Sequence, residues 1–214
     1  MTFYIKRLIF IIILSSITNT SLSHEFWIDP KNYHLSNDEK AIANIFIGEN
    51  FEGSPIPFTK EYFKISFLHS KDGKSKIKGR LGDIPALNIK KMSKGLNVIQ
   101  IESVTKYVEY QKLVKFEIFT REKGYPNLAQ KHKENNYPEN FFESYKRYAK
   151  SLISVENFDG EDIDTNMDFE LIFFDNPLKN LNERKRILLE YKNKKLTDHK
   201  VSIMSLNNGY FKKE

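Results

Sequence analysis

Five histidines and no cysteine define the chemistry open to this chain of 214 residues. Without cysteine there is no disulfide scaffold, thiolate zinc site, iron–sulfur cluster or cysteine nucleophile. Function falls to histidine, carboxylates, hydroxyls or plain surface. His24 stands out by position. Lys6 and Arg7 precede a continuous apolar run from Leu8 to Leu14, and the small, polar residues after it end in Ser21-Leu22-Ser23. A short basic region, an apolar core and a small-x-small site form the pattern that signal peptidase reads. The apolar run is far shorter than the ~20 residues of a bilayer-spanning helix, and no Cys follows it to carry a lipid. Residues 1–23 are therefore expected to be a secretory signal. The mature chain then begins at His24, periplasmic or secreted, and does not span the membrane.

A His at a mature N-terminus presents an α-amine and an imidazole to the same ion. Such nitrogens suit copper, nickel and cobalt, and because the amine titrates near neutral pH the binding is expected to be pH-dependent. No pair among His24, His34, His69, His132 and His199 stands at i, i+3 or i, i+4, so further ligands must be brought in by folding. His69 closes a strongly patterned strand that would hold a ligand rigidly, whereas His132 and His199 fall in polar stretches expected to be exposed. Glu25, Asp29, Glu49 and Glu52 supply nearby carboxylates. The candidate ligands are His24, His69 and Glu49.

Enzyme signatures are otherwise missing: there is no Gly-x-Ser-x-Gly elbow, His-Glu-x-x-His, phosphate loop or Gly-x-Gly-x-x-Gly. No enzymatic activity is expected. The acidic run Asp159-Gly160-Glu161-Asp162-Ile163-Asp164 does not match the EF-hand spacing and reads as an exposed loop. With 34 basic and 28 acidic residues the formal charge is +6, or +4 once Lys6 and Arg7 are removed. Basic clusters at Lys71–Arg80, Arg184–Arg186 and Lys192–Lys195 fall at expected turns and read as solvated faces. An exported chain meets little nucleic acid, so no nucleic-acid partner is expected.

The elements that must position these residues are mostly strands. Ala41–Ile47 is a short apolar run; Phe63/Ile65/Phe67, Val114/Phe116/Ile118 and Phe169/Leu171/Phe173 alternate with polar residues; Val98–Val104 repeats the habit. Gly73, Gly82-Asp83, Pro85, Gly95 and Asp175-Asn176-Pro177 punctuate the gaps. The fold class expected is all-β, a β-sandwich over residues 24–175. One helix is expected near 138–152, where Phe141, Phe142, Tyr145, Tyr148, Ala149 and Leu152 fall at helical spacing behind Pro138. Lys123–Asn136 before it reads as an exposed loop. After Pro177, strands at Arg186–Tyr191 and Lys200–Leu206 and the start of a third at Tyr210-Phe211 suggest a second unit over 176–214. That unit is smaller than the ~40 residues that usually sustain a core, and it reads as truncated.

Three segments carry a resemblance to an uncharacterised bacterial periplasmic family whose members are described as periplasmic components of cobalt or nickel uptake systems. These are His24-Glu25-Phe26-Trp27-Ile28-Asp29-Pro30 directly after the signal, Phe46-Ile47-Gly48-Glu49-Asn50-Phe51-Glu52-Gly53, and Tyr145-Lys146-Arg147-Tyr148-Ala149-Lys150-Ser151-Leu152. The resemblance implies that residues 176–214 are an incomplete immunoglobulin-like unit, that nickel or cobalt is the metal with copper as a further possibility, and that a membrane metal transporter is a partner. It carries over most directly to His24. From a different class, a recognition module binding a protein or glycan is motivated by Trp27, Tyr33 and Phe51 as a cluster of aromatics. A copper oxidase built on His24 is a third reading.

Overall fold

Alternation of apolar and polar residues builds two sheets that face each other across one core. The computed structural model describes residues 24–207 and 210–213; the expected signal at 1–23 lies outside them. The first sheet has β3 (Ala41–Glu49) at its centre, with β1 (Glu25–Pro30) antiparallel on one edge and β4 (Glu52–Pro55) and β7 (Leu87–Ile89) on the other. The second runs β2 (His34–Leu35), β11 (Tyr148–Val155), β8 (Gly95–Ser103), β5 (Phe63–Ser70), β6 (Gly73–Lys76). Ala41, Ala43 and Ile45 of β3 point inward at alternate positions, as do Ile99 and Ile101 of β8 and Ile153 and Val155 of β11. The fold is all-β and sandwich-like.

Between β8 and β11 the chain leaves the sandwich along a two-stranded ribbon, β9 (Lys106–Tyr110) paired with β10 (Phe141–Tyr145). The ribbon carries two helices, α1 (Leu113–Glu122) and α2 (Leu128–Glu134). Three expectations are corrected here. The helix expected near 138–152 is two strands, β10 and β11, which belong to different sheets and part at Lys146-Arg147. Its apparent stripe joins Phe141 and Tyr145 of one sheet to Ala149 of another, and its aromatic residues fit pleated surfaces well. Conversely, the strand expected around Val114–Ile118 is helix α1, which buries Leu113 and Thr120 one face apart by two turns while Val114 stands out in solvent. The loop expected over 123–136 contains α2, anchored by buried Ala129 and His132.

Tyr110, Phe116 and Phe141 form the small aromatic core of this lobe, with ring centroids 5.2 Å apart in each pair. His132, expected in solvent, is buried in it. Its ring lies 4.2 Å from Phe141, and Nε2 is 2.8 Å from the carbonyl oxygen of Pro138. Further along, β12 (Phe169–Phe173) pairs with β13 (Ile187–Tyr191), which pairs with β14 (Lys194–Lys195). A last hairpin joins β15 (Met204–Asn207) to β16 (Tyr210–Lys213). No helix among the described residues is long and apolar enough to cross a membrane.

Candidate functional site

Two segments some twenty residues apart in sequence meet at one end of the first sheet. The antiparallel register pairs Glu25 with Gly48, Phe26 with Ile47 and Trp27 with Phe46. His24 and Glu49 are each one step beyond the last of these pairs, and both line an open groove of about 820 Å³ that Glu52 also borders. His24 is exposed and Glu49 half-buried.

The groove's wall is the hairpin between β3 and β4, whose register closes with Gly48 opposite Gly53 and Glu49 opposite Glu52. Asn50 and Phe51 between them have φ of 54° and 65°, the pair of left-handed conformations that a two-residue hairpin turn of matching twist requires. Asn tolerates that region; a bulky Phe there carries strain on the order of 1–2 kcal/mol. Two contacts hold the turn. Asn50 N–H donates to Glu25 Oε2 at 2.9 Å, and the Phe51 ring meets Trp27 edge-on at 6.3 Å. Trp27 is itself stacked on Phe46 at 5.3 Å. Both glycines are required by close approach. A Cβ on Gly53 would stand 2.6 Å from the Ile47 carbonyl oxygen and 2.9 Å from the Trp27 ring, and one on Gly48 would strike the backbone of Glu52 and Gly53.

Asp29 lies on the same face of β1, and Tyr33 follows where the chain meets the edge of the second sheet, its carbonyl accepting the Ser154 N–H at 3.0 Å. Partial burial pushes the Asp29 carboxyl above its ordinary range, and burial together with the Asp29 charge pushes the Tyr33 phenol up. Tyr33 and Phe51 nonetheless remain more than a third exposed, at 48% and 38%. Trp27, Phe46 and Phe51 thus form an aromatic shelf beside a groove bordered by one imidazole and two carboxylates.

His69 is elsewhere. It sits on β5 in the second sheet, 8% exposed, with Nε2 2.8 Å from Gln100 Oε1. It borders a separate cleft of about 240 Å³ together with Lys71, Lys94 and Asp159. Desolvation lowers its pKa below the ordinary 6.5, against the hydrogen bond to Gln100, which raises it. Of the three candidate ligands the structure brings together His24 and Glu49 but not His69. Among the described residues no group of three or more His, Asp or Glu side chains is placed to hold a metal ion. His34 stacks on Phe158 at 4.8 Å, and the exposed His199 ring bonds the Thr197 carbonyl at 2.7 Å.

Sequence patterning overlooked a polar layer on the outer face of the second sheet. Lys150, on β11 opposite Gln100, reaches Asp162 at 3.0 Å and Glu170 at 2.7 Å, all three side chains being 9% exposed or less. Glu170 also accepts hydrogen bonds from Thr165 N–H, Thr165 Oγ1 and Met167 N–H. Asp162 takes the Phe173 N–H at 2.9 Å. The acidic run expected to be a solvated loop is thus pinned on the sheet through Asp162. No local pattern signals this layer, because Asp162 and Glu170 reach Lys150 only through folding.

A family model described as a domain of unknown function, DUF4198, matches residues 21–214. The chain belongs to this family. No curated protein and no solved structure matches it.

Proposed function

We propose that this protein is exported and binds a divalent transition metal, nickel or cobalt, in the groove beside His24, in support of metal uptake. The observation that carries the reading is the shared lining of that groove by His24 and Glu49. Two side-chain ligands are too few for tight binding by themselves. Cleavage before His24 would add the α-amine of the same residue, giving two nitrogens from one residue and an oxygen from the facing strand, a donor set suited to these ions. Glu25 does not join them. Its carboxylate anchors the Asn50 turn, so it acts by holding Glu49 in place. A membrane metal transporter is the partner this role calls for, and no catalytic step is assigned.

Trp27 is the sole tryptophan of the chain and stands three residues from His24, about 10 Å along an extended strand. Titrating nickel into protein that begins at His24 should quench its fluorescence with a midpoint below ~10 μM. Glu49→Gln should move that midpoint upward about tenfold. Quenching unaffected by Glu49→Gln and by His24→Ala would contradict the reading.

A second reading is favoured by the exposure of Phe51 beside Trp27 and of Tyr33 further along: these rings recognise a protein or glycan through their faces. Protein lacking metal affinity whose Trp27 emission shifts with an added glycan would support it.

A further inference from the structure

The basicity of this chain is local. Residues 71–94 hold eight Lys or Arg and two Asp, a net charge of +6, equal to that of all 214 residues; the rest of the sequence balances to zero. The fold gathers five of these eight cations into one place. Lys76, Lys78 and Arg80 alternate with Ile77, which is buried at 5% exposure, and with Gly79, whose missing Cβ leaves room for the Phe58 ring. Lys90 and Lys91 arrive from the end of β7. All five cations line a groove of about 590 Å³ whose sole acid is Asp83.

Asp83 is already engaged by Arg80 Nε at 2.8 Å. Lys76, Lys78, Lys90 and Lys91 have no ion pair among the described residues, so Asp83 is the one carboxylate lining the groove against five cations. The wall is fixed in place. Gly82 N–H donates to the Phe58 carbonyl at 2.9 Å, and Phe58 N–H donates to the Asp83 carbonyl at 3.0 Å. Lysines converging as flexible point charges on a held backbone suit phosphate, whose charge is spread over several oxygens.

We propose that this groove binds an anion carrying phosphate groups, supplied either as a lipid headgroup or as a soluble phosphate. The site is distinct from the groove beside His24. It takes an anion where that one takes a cation, and it can fail or hold independently of it.

The test uses inorganic pyrophosphate by isothermal titration and vesicles of phosphatidylglycerol mixed with phosphatidylcholine by co-sedimentation, with pure phosphatidylcholine as the neutral comparison. The protein is expected to bind at least one anionic probe and to ignore neutral vesicles. Lys78→Glu combined with Lys90→Glu should weaken that binding at least tenfold. Lys115→Glu with Lys131→Glu, an equal charge change on the helical lobe, should change it less than twofold. Lys76→Gln with Lys91→Gln reads the same loss should the double reversal fail to fold. Binding to vesicles alone identifies a headgroup as the source, and binding to pyrophosphate alone a soluble one; either supports the groove. Neither probe binding, or equal loss in groove and lobe variants, would overturn the proposal.

Discussion

The Glu25 carboxylate accepts the backbone N–H of Asn50 at 2.9 Å, so the residue after His24 fixes the turn that carries Glu49. Glu25→Ala should cost about 1 kcal/mol of stability, as expected for one exposed hydrogen bond to a charged group. It should also weaken nickel binding although Glu25 is not a ligand. Denaturant unfolding and metal titration on the same variant check both halves. Loss of affinity without loss of stability would mean that Glu25 touches the metal.

Phe51 occupies a backbone conformation better suited to glycine, with φ of 65°. Phe51→Gly should relieve strain of about 1 kcal/mol while removing the edge contact to Trp27, leaving net stability nearly unchanged. Trp27 emission should shift to the red as its ring gains water. A large loss of stability would show that the ring contact, not the turn, holds the hairpin.

Lys150 is buried between Asp162 and Glu170. Lys150→Met strands two carboxylates without their cation and should cost about 3–5 kcal/mol. Combining it with Asp162→Asn and Glu170→Gln should recover part of that loss, since no unpaired charge then remains. Urea unfolding of the single and triple variants measures the difference.

Acid should loosen the second sheet through His69. Desolvation holds its folded pKa below the ordinary 6.5, with Lys74 and Lys150 pushing the same way and Gln100 and Glu170 opposing. The unfolded chain therefore binds the proton more readily, and stability falls as pH drops from about 6.5 toward the folded value. Glu102, on the same face, has its carboxyl raised by burial, so it takes up a proton on folding at lower pH and opposes the trend there. His69→Asn should flatten the change in stability between pH 7.5 and 5.5. An unchanged pH profile in that variant would assign the acid sensitivity elsewhere.

Two strands were legible in the sequence although burial departs from their alternation, Ser66 and Glu170 being buried and Phe169 exposed. Phe63/Ile65/Phe67 and Phe169/Leu171/Phe173 lie in β5 and β12. The reading failed where a helical spacing ran beside the alternation or a period crossed a break. Val114/Phe116/Ile118 alternate over three positions, yet Leu113 and Thr120 are the buried face of a helix. The stripe from Phe141 to Leu152 spans two strands on different sheets. At the candidate site, residue types were legible and distances were not. The proximity of His24 to Glu49 follows from the β1–β3 register, and the separation of His69 from them follows from its place in the other sheet, neither of which a local pattern encodes.

Metal binding at His24 through its imidazole and its own amine requires that residue to be the N-terminus. Isothermal titration of nickel and cobalt should compare protein beginning at His24 with protein carrying one additional residue before it. Binding tighter than ~10 μM is expected in the first and at least tenfold weaker in the second, because the added residue moves the amine off the chelate. Equal affinity in both, or none in either, would contradict it.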